Sequence, residues 1–283
     1  MGALLFIAVL IGLGVAYGWS RRDTRPVFDP PVGVTATERA MYDVQPYWYS
    51  VVKRAVAKGD ASILFPLHEC SIDEMDAIVS YVIEHSPFET YVDTWTLSDD
   101  ESEGELELAY ELPARSIDTQ RAYVKRAVER IVADVPDEAT EAEQVKFVYD
   151  AILSFATYDE ETADRLEEND SYGYTLANTA YGLLVEQTGV CEGFARLFVQ
   201  LFDALGLDNY YVIGENEKEG HAWNLVRVDG AYYYLDATTD APVPGDVRDV
   251  TYEDFLVPAS DLPYTWNVSD YPPSAPVRHP IVS

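Results

Sequence analysis

Only two cysteines, Cys70 and Cys191, and four histidines stand in 283 residues. That count excludes a disulfide framework and a tetrahedral cysteine metal site, so each thiol is judged singly. Lysine is nearly as scarce, confined to Lys53, Lys58, Lys125, Lys146 and Lys218. Lys and Arg together number 19 against 50 Asp and Glu, a formal net charge of −31. With so little positive charge there is no basic footprint, which excludes nucleic acid as a partner. Internal repeats and low-complexity runs are also lacking. What is present is a 48% hydrophobic, 13% aromatic composition, enough to bury a core and to exclude disorder along the whole chain.

The carboxylates are spread along nearly every segment. A charge this far from zero repels itself and destabilises the compact state, and at molar ionic strength the Debye length falls to roughly 3 Å and removes most of that penalty. The acidity therefore reads as adaptation to concentrated salt; the alternative is a solvated acidic surface in ordinary buffer.

Residues 1–19 carry no charged side chain. At about 1.5 Å per helical residue, Ala3 to Trp19 reaches roughly 26 Å, enough to span hydrocarbon. The stretch reads as a single membrane anchor, a lipid bilayer being its partner. A cleaved signal peptide is the alternative, with Ala16-Tyr17-Gly18 as a small-x-small site but without a basic n-region. Arg21, Arg22 and Arg25 follow the span and favour a cytoplasmic soluble part, whereas sequons at Asn169 and Asn267 suit the opposite side. The side stays open.

The rest divides into a Pro-rich linker over 21–35, an α+β extension over 36–135 and a second domain over 136–283. The extension holds two helical patterns, the second opened by a Ser71/Glu74 capping box, and a hairpin of Phe88 to Leu97 with Glu105 to Leu112. Helices are expected over Ile117 to Val132 and, behind a Thr140/Glu143 box, Glu141 to Phe155. A loop from Ala156 to Asn178 follows, then a short helix near Thr179 to Glu186 and an apolar helix from Cys191 to Gly206. Strands are expected at Tyr210 to Gly214, His221 to Val228 and Ala231 to Ala237. A Pro-rich tail wraps around one short helix, Tyr252 to Leu256.

Cys191 sits at a helix start, where backbone amides and macrodipole favour a thiolate. Taken alone, a lone cysteine is most simply a small buried hydrophobe. The hairpin changes that. If Asp229 and Gly230 form a type I′ turn, facing positions sum to 459, pairing Trp223 with Asp236 and setting His221 and Asp236 diagonally adjacent on one sheet face. An imidazole that takes a thiol proton and a carboxylate that fixes its tautomer require that adjacency. His68-Glu69-Cys70 holds metal-ligand types without the spacing of a ligand set, so neither a metal nor a cofactor is implied. His85, at a helix C-terminus, reads as a dipole partner; His279 in the tail suggests nothing.

Three stretches, YGLLVEQTGVCEGFA from Tyr181, GHAWNLV from Gly220 and YLDAT from Tyr234, separated by 30 residues from Cys191 to His221 and 15 from His221 to Asp236, resemble the transglutaminase-like superfamily of papain-type folds, in its microbial membrane-attached branch. The likeness covers roughly Glu141 to Leu262. It implies an α+β fold in which a Cys-bearing helix packs on an antiparallel sheet bearing His and Asp. It further implies acyl transfer with Cys191 as nucleophile, His221 as base and acid, Asp236 as orienter, and the Cys191 N–H as an oxyanion donor. Tyr181 and Gln187 are weaker substrate or oxyanion candidates, and Trp223 is a cleft wall or core packing. Protein or peptide amides are the expected substrates, by hydrolysis or transamidation. The alternative is a catalytically idle binding or assembly module at the membrane. Glu192 beside the nucleophile opposes thiolate formation unless screened.

Overall fold

The computed structural model describes residues 35–88, 91–168, 175–216, 220–243 and 249–282. The apolar stretch 3–19 and most of the Pro-rich linker lie outside them; among the described residues no helix is long and apolar enough to cross a membrane. Among the described residues, helices and sheets together make an α+β chain of two compact units, one within 35–86 and 91–114, the other 87–88 with those from 115 to 282.

In the first unit Pro46 divides what reads as one helical pattern into α1 (Ala36–Val44) and α2 (Pro46–Lys58). A proline lacks the N–H that would continue α1, yet suits the first position of a new helix. Strand β1 (Ser62–Pro66) follows, unforeseen in the sequence, and then α3 (Ile72–Glu84) behind the expected box, with Glu74 N–H on Ser71 Oγ at 3.3 Å and Ser71 N–H on Glu74 Oε2 at 2.8 Å. Strands β2 (Val92–Asp99) and β3 (Glu103–Tyr110) complete an antiparallel sheet in the order β1-β3-β2. Their polar tip shrinks to three residues because Asp100 Oδ1 accepts the N–H groups of Ser102 and Glu103 at 3.0 and 3.1 Å. Gly104 lies against the Phe65 ring, where an added Cβ would stand 2.4 Å from a ring carbon.

The second unit is built on α4 (Ala114–Ala133), α5 (Glu141–Leu153), α6 (Glu160–Glu168), α7 (Ala180–Glu186) and α8 (Cys191–Leu205). A parallel pair, β4 (Thr157–Tyr158) with β5 (Thr188–Gly189), precedes an antiparallel sheet of β6 (Asn209–Glu215), β7 (Gly220–Val228) and β8 (Ala231–Leu235). Two expectations fail here. The segment read as a loop, 156–178, contains β4 and α6, where Asp159 Oδ1 caps Thr162 N–H at 3.0 Å; α6 is so acidic that its few apolar positions hide the helical period. The tail helix over Tyr252 to Leu256 is instead a turn, because Tyr252 and Leu256 adopt left-handed φ values of 56° and 49°. Asp240 captures the Thr251 and Tyr252 N–H groups at 2.8 Å each, while Phe255 and Leu256 fill the core.

Helix α8 positions the site. One face drives Phe194, Leu197, Phe198, Leu201 and Phe202 into the main core with Tyr149, Leu183 and Phe255. The opposite face carries Cys191, Ala195 and Val199 against Tyr211 of β6 and Ala222 of β7. Asn224 of β7 donates to the Ala195 carbonyl at 3.0 Å, a buried bond that sets the strand's position along the helix.

Candidate active site

Gly189 and the extended Val190 lead into α8, so Cys191 is its first residue and is buried. The first-turn amides of a helix have no intrahelical acceptor and leave the N-terminus electropositive. A neighbouring segment buttresses that start: Val190 N–H donates to Ala177 O at 2.9 Å and Arg196 Nη1 to Asn178 O at 2.7 Å. At Gly193 a Cβ would stand 2.6 Å from the Ala177 carbonyl, so only glycine permits this approach.

The β7–β8 hairpin turns through Asp229 and Gly230, both left-handed (φ 50° and 86°), and pairs Val228 with Ala231 through Asn224 with Leu235. This is the expected register. It carries His221, near the start of β7, and Asp236, one residue past β8, to one face, where Nε2 and Asp236 Oδ2 are 2.7 Å apart. His221 is 8% exposed and Asp236 2%. With Nε2 engaged, the buried Nδ1 makes no hydrogen bond, and Cys191 is near enough to favour the protonated ring.

Burial opposes protonation of His221, but the charge and hydrogen bond of Asp236, helped by Cys191, outweigh it and hold the imidazolium pKa well above the usual histidine range. Burial likewise works against the Asp236 carboxylate, and His221, Thr238 and Tyr264 outweigh that and hold its pKa below the usual value. Four donors satisfy this anion. Thr238 N–H and Oγ1 reach Oδ1 at 2.9 and 2.7 Å, and His221 Nε2 and Tyr264 Oη reach Oδ2 at 2.7 Å each.

The remaining expectations resolve individually. Trp223 is 1% exposed and stacks 5.7 Å from the His221 ring, within the cluster of Val212, Tyr234, Tyr264 and Trp266; it packs as core beside the site. Tyr181 lies edge-on to Tyr123 at 5.4 Å. Gln187 is exposed, ends α7 in a left-handed conformation, and its carbonyl takes Thr157 N–H. Cys70 is fully buried in the first unit, its thiol pushed up to about 12 by burial and then by Glu74 and Glu69. Among the described residues no group of three His, Cys, Asp or Glu could hold a metal. His85 caps α3 and stacks on Tyr81, and His279 Nε2 meets Asp229 at 3.2 Å.

Sequence reasoning missed three contributors. Arg196 pairs with Glu192 at 3.3 Å, offsetting the carboxylate beside Cys191, and the i,i+4 spacing was a readable signal. Thr238 closes a side-chain turn on Asp236, also readable from Asp-x-Thr. Tyr264 had no local signal.

No curated protein matches the chain. Among solved structures, a chain described as a TGase is 18% identical with a TM-score of 0.37, over 57% of this chain and 48% of its own. A second, described as a candidate cysteine protease from Cytophaga hutchinsonii, is 15% identical with a TM-score of 0.33, over 61% of this chain and 65% of its own. The present chain thus spans about half the length of the first and just under two thirds of the second. Residues 125–237, which include Cys191, His221 and Asp236, match the family model of the Transglutaminase-like superfamily.

Proposed function

We propose that the protein performs thiol-dependent acyl transfer on an amide, with Cys191 as nucleophile, His221 as base and acid, and Asp236 as orienter. The observation that carries this reading is the 2.7 Å His221–Asp236 bond on a buried ring whose protonated form is also favoured by Cys191, the first residue of a helix. An imidazolium beside that sulfur is the partner a thiolate requires.

In the reaction the thiolate attacks the amide carbonyl and a C–S bond forms. The resulting oxyanion lies against the Cys191 N–H, which no helix carbonyl claims. His221 gives its proton to the departing nitrogen as the C–N bond breaks, leaving a thioester and a neutral imidazole. Water or a primary amine then adds, surrendering a proton to His221, and the C–S bond breaks to restore the thiolate. Transfer to water is hydrolysis and transfer to an amine is transamidation; protein or peptide amides are the proposed substrates. The apolar stretch 3–19 is proposed to tether this activity to a bilayer.

The test is alkylation of Cys191 by iodoacetamide across pH 5–9, followed by mass spectrometry of the Cys191 and Cys70 peptides. Cys191 is expected to react at pH 6 at least about 10-fold faster than glutathione, and His221→Gln to abolish that advantage, while the buried Cys70 stays unlabelled. Equal rates for Cys191 and glutathione, unaffected by His221→Gln, overturn the proposal.

A further inference from the structure

Tyr264 and His221 address the same carboxylate oxygen. Tyr264 Oη lies 2.7 Å from Asp236 Oδ2, the distance at which His221 Nε2 stands from that oxygen. The tyrosine ring lies edge-on to His221, with centroids 4.7 Å apart, and 4.9 Å from the Trp223 ring. Its place is set by the strand edge: Thr265 and Glu215 exchange two backbone hydrogen bonds of 2.8 Å, and Trp266 Nε1 donates to Tyr234 Oη at 3.2 Å. Tyr264 lies 27 residues beyond the last residue of the superfamily match, 264 against 237.

Among the described residues, the groups around the imidazole come from few elements. Asp236 faces Nε2, and Cys191 also favours the protonated ring; Glu192 pairs with Arg196 and accepts from Tyr211 Oη, which Cys191 also influences. Behind Asp236 stands Asp254, whose Oδ2 takes Thr239 Oγ1 at 2.7 Å and lies 3.5 Å from Tyr264 Oη. Burial and the negative charge of Asp236 raise the Tyr264 phenol, so it remains a donor throughout.

We propose that Tyr264 is a positioning residue that moderates the basicity of His221 by sharing Asp236 Oδ2 with it, while its ring keeps water from the His221–Asp236 bond. The inference rests on the triad reading above. An oxygen accepting two donors serves each less well than one accepting a single donor, so the hydroxyl gains most when the imidazole is neutral and asks less of Oδ2. It therefore favours the neutral ring, the state His221 must reach when it protonates the leaving nitrogen. Without it, Asp236 would hold the proton on His221 too firmly for an efficient acid, because transfer is best when donor and acceptor are matched.

Two substitutions separate hydroxyl from ring. In the full chain carrying isotope-labelled histidine, with the His221 signal assigned by its loss in His221→Gln, NMR titration reads the imidazole midpoint directly. Tyr264→Phe keeps the ring and removes the donor, and is expected to raise the midpoint by about half a unit to one unit. Tyr264→Leu also removes the cover and admits water, and is expected to lower the midpoint below the wild-type value. A midpoint unmoved or lowered in Tyr264→Phe overturns the inference, even if stability falls, since a merely structural role changes stability alone. The triad reading fails separately: a midpoint that moves as expected, with Cys191 alkylation indifferent to His221, keeps Tyr264 in control of His221 and removes Cys191 from the chemistry.

Discussion

Asp236→Asn leaves the shape of the side chain and removes its charge, and the contacts dictate the consequence. Four donors converge on two carboxylate oxygens, whereas an amide offers one oxygen and an NH2. If the oxygen stays with His221 and Tyr264, the NH2 faces Thr238, whose hydroxyl can turn away but whose backbone N–H cannot. One part-buried N–H is then unsatisfied, at about 1–3 kcal/mol, and with the loss of one partner of a buried ion pair the total reaches about 3–5 kcal/mol. The pH dependence follows from the two shifts. The raised His221 contributes stability that is complete below its unfolded value and lost as pH rises through the folded one; the depressed Asp236 contributes stability that is complete above its unfolded value and lost as pH falls through the folded one. Both are present in full between about pH 4 and 6.5. Urea unfolding at fixed salt from pH 3 to 9 should show the largest wild-type–variant gap in that window, shrinking above it toward the about 1–3 kcal/mol of the stranded N–H. A gap that is constant with pH, or below about 1 kcal/mol throughout, refutes the paired charges.

Three further outcomes are expected. Raising NaCl from 0.1 to 2 M should raise the melting temperature of this −31 chain, by about 4–8 °C for every 2 kcal/mol of repulsion relieved; full stability at low salt contradicts the high-salt reading. Gly193→Ala pushes a Cβ onto the Ala177 carbonyl and should lower unfolding free energy by about 1–3 kcal/mol while slowing alkylation of Cys191; an unchanged urea midpoint speaks against the close approach. Arg196→Met exposes Cys191 to the uncompensated Glu192 and should slow alkylation at pH 6 by roughly 3–10-fold, with Glu192→Gln in that background restoring most of the rate. Failure of the second change to rescue assigns Arg196 to its Asn178 carbonyl bond instead.

What was legible in the sequence is what local rules control. Asp229-Gly230 predicts the turn because two consecutive left-handed residues are needed there, and once the turn is placed the period of two along a strand assigns faces, so His221 and Asp236 could be set together before any coordinates. The Ser71 and Thr140 capping boxes are equally local, each formed within four residues. The elements that escaped obey other controls. β1 is five residues long and ends in Pro66, too short for periodicity to speak; it forms because β3 needs a second neighbour. In the tail, Tyr252 and Leu256 accept left-handed backbone because Asp240 and the core hold them, contrary to what their own preferences dictate.

The site divides along the same line. The His221–Asp236 pair and the helix-start position of Cys191 could be read because the proposed roles of nucleophile, base and orienter restrict both residue type and spacing. The groups around them are under no such restriction: any hydroxyl reaching Oδ2 satisfies Asp236, and the one that does so comes from a segment placed by the Glu215–Thr265 bridge and the Trp266–Tyr234 hydrogen bond. A buried carboxylate cannot forgo its donors, so the donors of Asp236 that lie beyond the family match, which ends at residue 237, come from the chain that follows it. The wrapped tail is then part of what holds the His221–Asp236 pair, and removing it should slow Cys191 alkylation before it unfolds the helix that bears the thiol.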